Sequence, residues 1–191
     1  MFPTTVGIFK YKKELSEELN YIKSVKYIKN LSNLRSKNSF LLRNKKLKKL
    51  KTFFEKSIEM YAKQVLGIEK EICITQAWSN QNTKGTSHHT HYHPNSIISG
   101  VFYLKVNNTG CPIVFSSSNR KELIINELKT DYNYGRMALD VQDGDLILFP
   151  SNLEHQVPPN DTEITRYSVS FNTFTFKSFG SEQALTIVKK T

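Results

Sequence analysis

The stretch Gly85-Thr-Ser-His-His-Thr-His-Tyr-His-Pro94 holds four of the chain's five histidines, His88, His89, His91 and His93. The fifth, His155, stands far downstream in Gly144-Asp-Leu-Ile-Leu-Phe-Pro-Ser-Asn-Leu-Glu-His-Gln-Val157. His91 and His93 are two positions apart, so on an extended strand both rings project to the same side. Two imidazoles on one face make a bidentate platform for a divalent metal. His155 follows an apolar run that ends at Pro150, which places it at the mouth of a barrel. Three ligands that leave positions open are what oxygen-activating non-haem iron requires. His88 and His89 precede the expected strand and read as loop residues. The competing account makes His91 and His93 surface residues of a polar loop. The HxH pair, the distant histidine behind an apolar strand and the β-rich surroundings together favour the metal.

Those surroundings are many short strands: residues 71–80, 97–106, 112–116, 122–126, 137–141, 145–149 and 165–174. Turn clusters such as Asn107-Asn-Thr-Gly110 and Gln142-Asp-Gly-Asp145 separate them. Residues 81–90 read as a loop leading to the histidines. On the strand at 71–80, Ile72, Ile74, Gln76, Trp78 and Asn80 share one face. Ahead of the strands lie a short strand at 5–10, a helix at 13–29, a polar linker at 30–39 and a long helix at 44–66. In the long helix Leu47, Leu50, Phe54, Ile58, Tyr61, Val65 and Leu66 recur every three or four residues, with lysines between. Gly67 stands where a left-handed residue ends a helix. The expected fold is α+β: a double-stranded β-helix (jelly-roll, cupin-like) core over 71–191, with supporting helices over 1–70, as one domain.

The 191 residues carry a formal charge of +10, unevenly placed. Residues 1–70 hold 17 Lys/Arg against 6 Asp/Glu, and the remainder 10 against 11. A basic half invites nucleic acid. The plainer account is a solvated helix face, because the lysines lack the interleaved aromatics and glycines of single-strand binders. Cys73 and Cys111 show no CxxC spacing, and neither a charged leader nor an 18-residue apolar span occurs. No membrane partner and a cytoplasmic location are therefore expected, the host's cytoplasm for a virus-encoded chain. An oligomer is compatible with these features.

In the segment Thr165-Arg-Tyr-Ser-Val-Ser-Phe-Asn172, Arg166, Ser168, Ser170 and Asn172 face one way, and Tyr167, Val169 and Phe171 the other. Arginine with a hydroxyl two residues on offers a bidentate fork plus one hydrogen bond, which matches a carboxylate. A cross-strand surface ion pair is the alternative.

Three blocks carry a family resemblance: Trp78-Ser-Asn followed by His91-Tyr-His-Pro-Asn-Ser-Ile-Ile-Ser-Gly-Val-Phe-Tyr-Leu104; Gly144 to Asn160; and Arg166-Tyr-Ser-Val-Ser-Phe-Asn172. Together they resemble the Fe(II)/2-oxoglutarate-dependent oxygenases common in marine phages and bacteria, over about residues 75–174. The resemblance implies a jelly-roll dioxygenase that hydroxylates a substrate C–H and releases succinate and CO2. It implies iron held at the HxH block and by His155, and the far carboxylate of the 2-oxoglutarate cosubstrate held by Arg166 with Ser168. The wider superfamily carries a carboxylate where His93 stands. Either His93 is a third ligand, or His91 and His155 bind with water completing the shell. Trp78, Asn80, Asn95 and Tyr103 are candidates to line the pocket, with barrel packing or solvent exposure as their competing role.

A cupin uses the same barrel, and Gly85, His91, His93, Gly144, Pro150 and His155 fit much of its pattern. Its glutamate, however, would fall at Ile97 or Ile98, and Arg166 would have no part to play. A reading from a different class is a metal-stabilised binding module whose basic helix docks nucleic acid. The primary substrate, whether protein, nucleotide or metabolite, is not encoded in these motifs.

Overall fold

Strand phase sorts the apolar residues of this chain into two layers, one on each face of a large sheet. The computed structural model describes residues 4–106, 112–116 and 135–189. Its elements are β1 (Gly7–Lys10), α1 (Ser16–Ser24), β2 (Tyr27–Lys29), β3 (Leu34–Ser36), α2 (Lys48–Val65), β4 (Cys73–Asn82), β5 (His88–His91), β6 (Ile98–Lys105), β7 (Ile113–Ser116), β8 (Arg136–Leu139), β9 (Asp145–Pro150), β10 (Glu154–Val157) and β11 (Arg166–Phe174). A seven-stranded sheet runs β1-β9-β6-β11-β4-β3-β2 and a four-stranded sheet β5-β10-β7-β8. Every pairing between these strands is antiparallel. This is the mixed helix-and-sheet, double-stranded β-helix architecture that the strand pattern led us to expect.

On β6, β9 and β11 the residues Phe102, Leu104, Leu146, Leu148, Tyr167, Val169 and Phe171 pack outward. They meet Leu50, Phe54, Ile58 and Tyr61 of α2. The intervening residues Val101, Tyr103, Ile147 and Phe149 point inward and meet Ile113 and Phe115 of β7. Burying each large side chain removes apolar surface worth about 1.5–3 kcal/mol, so the two layers together hold helix, large sheet and small sheet in one stack. Gly67 takes φ +65°, the left-handed conformation that ends the long helix.

Several local expectations are corrected. The helix expected over 13–29 stops at Ser24, because Val25 is already extended (ψ 155°). Tyr27–Lys29 then forms a strand whose Tyr27 hydroxyl meets Ser79 Oγ at 2.8 Å. The linker at 30–39 contains β3, which pairs with β4. The long helix begins at Lys48, after 3₁₀ turns at Leu41–Arg43 and Lys45–Leu47. The common face expected for 72–80 is broken by a register shift: Asn172 pairs with Gln76, but Thr173 with Ile74. Ile72 and Ile74 therefore pack with the helix layer while Trp78 and Asn80 face the interior. The loop expected at 81–90 contains most of β5, and His155 lies within strand β10. The strand expected at 122–126 and Cys111 lie outside the described residues.

Gly100 on β6 is the tightest point of the helix-side layer. A Cβ there would come within 2.2 Å of Phe171 Cζ. That ring cannot step aside, since it stacks on Phe54 at 5.1 Å between centroids and is fully buried. Gly100→Ala should cost about 1–3 kcal/mol of unfolding free energy, the range for overpacking a filled core. Chemical denaturation measures it, and a loss below about 0.5 kcal/mol would show that Phe171 yields.

Candidate active site

The register of β5 against β10 sets His91 directly across from His155, with ring centroids 4.3 Å apart. His93 lies just past the end of β5, and its backbone N–H donates to Ser151 O at 2.8 Å. That bond turns the chain back, so the His93 ring stacks beside His155 at 5.2 Å. One ligand atom from each of His91, His93 and His155 lies within 4.8 Å of the other two.

The second nitrogen of two of these rings is already committed. His91 Nδ1 is 2.8 Å from His89 O, and His155 Nδ1 is 3.0 Å from Leu153 O. A carbonyl only accepts, so Nδ1 carries the proton in both rings and each Nε2 keeps its lone pair free for a cation. Burial is the leading cause of lowered proton affinity in all three rings, with neighbouring imidazoles adding to it. The pKa falls to about 4 for His93 and about 3 for His155, and is also lowered for His91. Three neutral, converging nitrogen donors at ordinary pH suit a divalent transition metal.

His88 and His89 are not loop residues, as expected, but part of β5. His88 stacks on His91 at 4.6 Å with 13° between planes and lines the same cavity. Burial lowers its pKa to about 3. The signal for this was weak, because a strand reading His-His-Thr-His shows no apolar alternation.

A polar row crosses three neighbouring strands of the large sheet; Tyr103 and Asn80 in it line the cavity, whereas Ser168 and the nearby Arg166 are not part of its lining. Ser168 on β11 sits opposite Tyr103 on β6 and opposite Asn80 on β4. All three side chains are buried. Arg166, one pleat along and 3% exposed, places its guanidinium carbon 4.6 Å from the centre of the Tyr103 ring. Burial raises the Tyr103 pKa, and the nearby guanidinium charge opposes that rise. Asn80 Nδ2 donates to Ser170 Oγ at 3.0 Å, leaving Asn80 Oδ1 buried with no hydrogen-bond partner among the described residues. Trp78, Asn80 and Tyr103 thus line the cavity together with Ser170, Gln156 and Val157. Asn95 does not. It occupies an exposed turn after His93 at φ 57°, a left-handed position that asparagine tolerates.

Comparison with known proteins bears on the family and the fold. A family profile described as "Putative 2OG-Fe(II) oxygenase" matches residues 76–172. No curated protein sequence matches the chain. Among solved structures, HygX from Streptomyces hygroscopicus, with nickel, 2-oxoglutarate and hygromycin B bound, superposes with TM-score 0.65 at 12% identity, over 91% of this chain and 84% of that one. The epimerase SnoN from nogalamycin biosynthesis, in complex with Fe3+, alpha ketoglutarate and nogalamycin RO, gives 0.68 at 11% identity, over 90% and 79%. A prolyl hydroxylase from Trichoplax adhaerens, in complex with a hypoxia inducible factor peptide fragment, gives 0.61 at 16% identity, over 89% and 83%. The structural likenesses speak for the shared fold. With the profile spanning 97 of 191 positions, from 76 to 172, the chain belongs to the 2OG-Fe(II) oxygenase family, enzymes that use iron and 2-oxoglutarate.

Proposed function

We propose that His91, His93 and His155 hold one Fe(II), and that Arg166, Ser168 and Asn80 hold 2-oxoglutarate beside it. The activity is hydroxylation of a C–H bond in an unidentified substrate, with release of succinate and CO2. The observation that carries this reading is the convergence of three imidazoles, one ligand atom from each within 4.8 Å of the others, two of them with Nδ1 committed to a carbonyl so that Nε2 is left as the donor. When bound, the iron and its cosubstrate supply the oxidising chemistry. The protein's residues do the rest. The histidines fix the metal's position without a proton having to leave first. The Arg166 guanidinium, in a buried setting, offers two parallel N–H donors to a carboxylate. Trp78 and Phe149 wall the cavity and keep water from the reacting atoms.

Asn80 supports the same reading through its orphaned oxygen. An amide turned by 180° keeps its bond to Ser170, with Oδ1 accepting from the hydroxyl, and brings Nδ2 into the position that lacks a partner. A donor there suits a carboxylate oxygen, and it lies next to Ser168 in the row. An orphaned buried polar group costs about 1–3 kcal/mol, which a bound dianion would relieve. The cupin alternative gains nothing from the geometry. Ile98, one of the positions where its glutamate would stand, is fully buried in the layer facing the helices.

Anaerobic addition of Fe(II) and 2-oxoglutarate should produce a weak visible charge-transfer band, and air should then yield succinate. A colourless mixture that forms no succinate contradicts the assignment. Arg166→Ala should weaken 2-oxoglutarate binding at least tenfold while leaving metal affinity within about twofold, since one charge-assisted bidentate contact is worth about 1.5–3 kcal/mol. Equal losses of both would make Arg166 structural. Asn80→Ala should weaken the cosubstrate less, by about threefold to tenfold, and Asn80→Asp should weaken it more, because a second carboxylate repels the first.

The lowered histidine pKa values also fix a pH dependence for the metal-free protein. His88, His93 and His155 fold with pKa values of about 3, 4 and 3, against about 6.5 in the unfolded chain. Between those limits the unfolded state binds more protons, so their contribution is neutral above about pH 6.5 and becomes destabilising as pH falls towards 3. Denaturation midpoints should drop between pH 7 and 5, and Ni(II), which binds the preassembled native rings more tightly than the unfolded histidine segment, should restore part of the loss. A midpoint flat across that interval would contradict buried neutral histidines.

A further inference from the structure

The basic half of the chain is not used by the catalytic cavity, and its charges are not scattered. Lys10, the last residue of β1, and Lys12 and Lys13 just after it face Lys48, Lys49 and Lys56 of α2 across one groove, with Tyr11, Thr52 and Phe53 between them. Lys10 is engaged with Asp145 at 2.8 Å. The other five side chains make no ion pair or hydrogen bond among the described residues, and all are exposed. Among the described residues no carboxylate lines the groove. Glu18, whose charge acts on Tyr11, is buried and lies outside the lining. The floor is aromatic: the Tyr11 and Phe53 rings stand 5.2 Å apart, and Phe53 is only half-buried.

Five unpaired cations held around one concave strip repel each other at a cost that a polyanion would relieve. The chemistry of the strip narrows the choice of polyanion. A flat anionic membrane would need an apolar face beside the lysines, yet the apolar stripe of α2 is buried against the large sheet at Leu50, Phe54, Ile58 and Tyr61. Arginine forks fit carboxylate and phosphate alike, and the described lining holds none, so an acidic peptide is left for the test to separate. Lysines still serve as point-charge phosphate binders. A half-exposed aromatic ring between them offers a face for a base.

We propose that this groove binds single-stranded nucleic acid through its phosphate backbone. It lies on the helix-covered side of the large sheet, away from the histidine cavity on the other face. The bound strand therefore localises the enzyme without entering the catalytic site, and the proposal stands apart from the assignment of iron and 2-oxoglutarate ligands.

Fluorescence anisotropy with labelled oligothymidine and oligouridine, titrated with the full-length protein between 50 and 200 mM salt, tests it. With up to five phosphates neutralised, the slope of log K against log salt should approach about −3.5, an affinity loss of roughly 100-fold over that range. The triple variant Lys48→Gln/Lys49→Gln/Lys56→Gln touches only exposed side chains and should reduce the slope by about 2. Its 2-oxoglutarate affinity should not change. Absence of binding at 50 mM salt, or binding indifferent to the triple substitution, overturns the proposal. So does equal displacement of the oligonucleotide by polyglutamate, or equally lysine-dependent binding to phosphatidylglycerol vesicles, since either shows a general anion patch.

Discussion

The pairing of β5 with β10 is the constraint on which the site depends. It puts His91 opposite His155, and each ring is steadied by a carbonyl two residues earlier in its own chain, His89 O and Leu153 O. The same local contact, to the carbonyl two residues before, thus sets the tautomer of both rings. His93 joins because the chain leaves β5 and is caught at once by Ser151 O. Ser151 is in turn wired to Ser96 and Ser99 by hydroxyl contacts of 2.7 and 2.8 Å. A register slip of one residue would send His91 to the opposite face and dissolve the cluster.

The large sheet makes that register affordable by serving two cores at once. Its outer face takes α2 through Phe54, Phe102 and Phe171, with Gly100 leaving room for the last ring. Its inner face is apolar near Phe149 and polar along Tyr103, Ser168 and Asn80. Those polar side chains are held within a sheet packed on both faces, so the ligand proposed above would meet them with their backbone already fixed. The same alternation divides β11: every odd residue from Tyr167 to Phe171 faces the helices, and of the residues between them Ser170 lines the cavity.

Much of this was legible in the sequence, and the failures have physical causes. The phase of β11 and the stripe of α2 could be read because nine and eighteen residues give periodicity room to show. Strands β2, β3 and β10 run three or four residues and owe their existence to partners, not to propensity. β5 was hidden because its residues are polar on both faces, which also hid the place of His88 in the cavity. The phase of β4 was misread at its start because one extra residue near Thr75 turns Ile72 and Ile74 to the helix side. Asn95 looked like a pocket residue by proximity to His93, but its left-handed turn carries it outward. Position along the chain is a poor guide where the backbone reverses.

The central claim is that one metal ion is held by three imidazoles, His93 included, where a carboxylate would be usual. X-ray absorption at the iron edge of the anaerobic Fe(II) protein counts those rings directly through imidazole multiple scattering. The account predicts three imidazoles in the wild-type protein and two in a His93→Ala variant. Two imidazoles in the wild type, with no change on substituting His93, would contradict it.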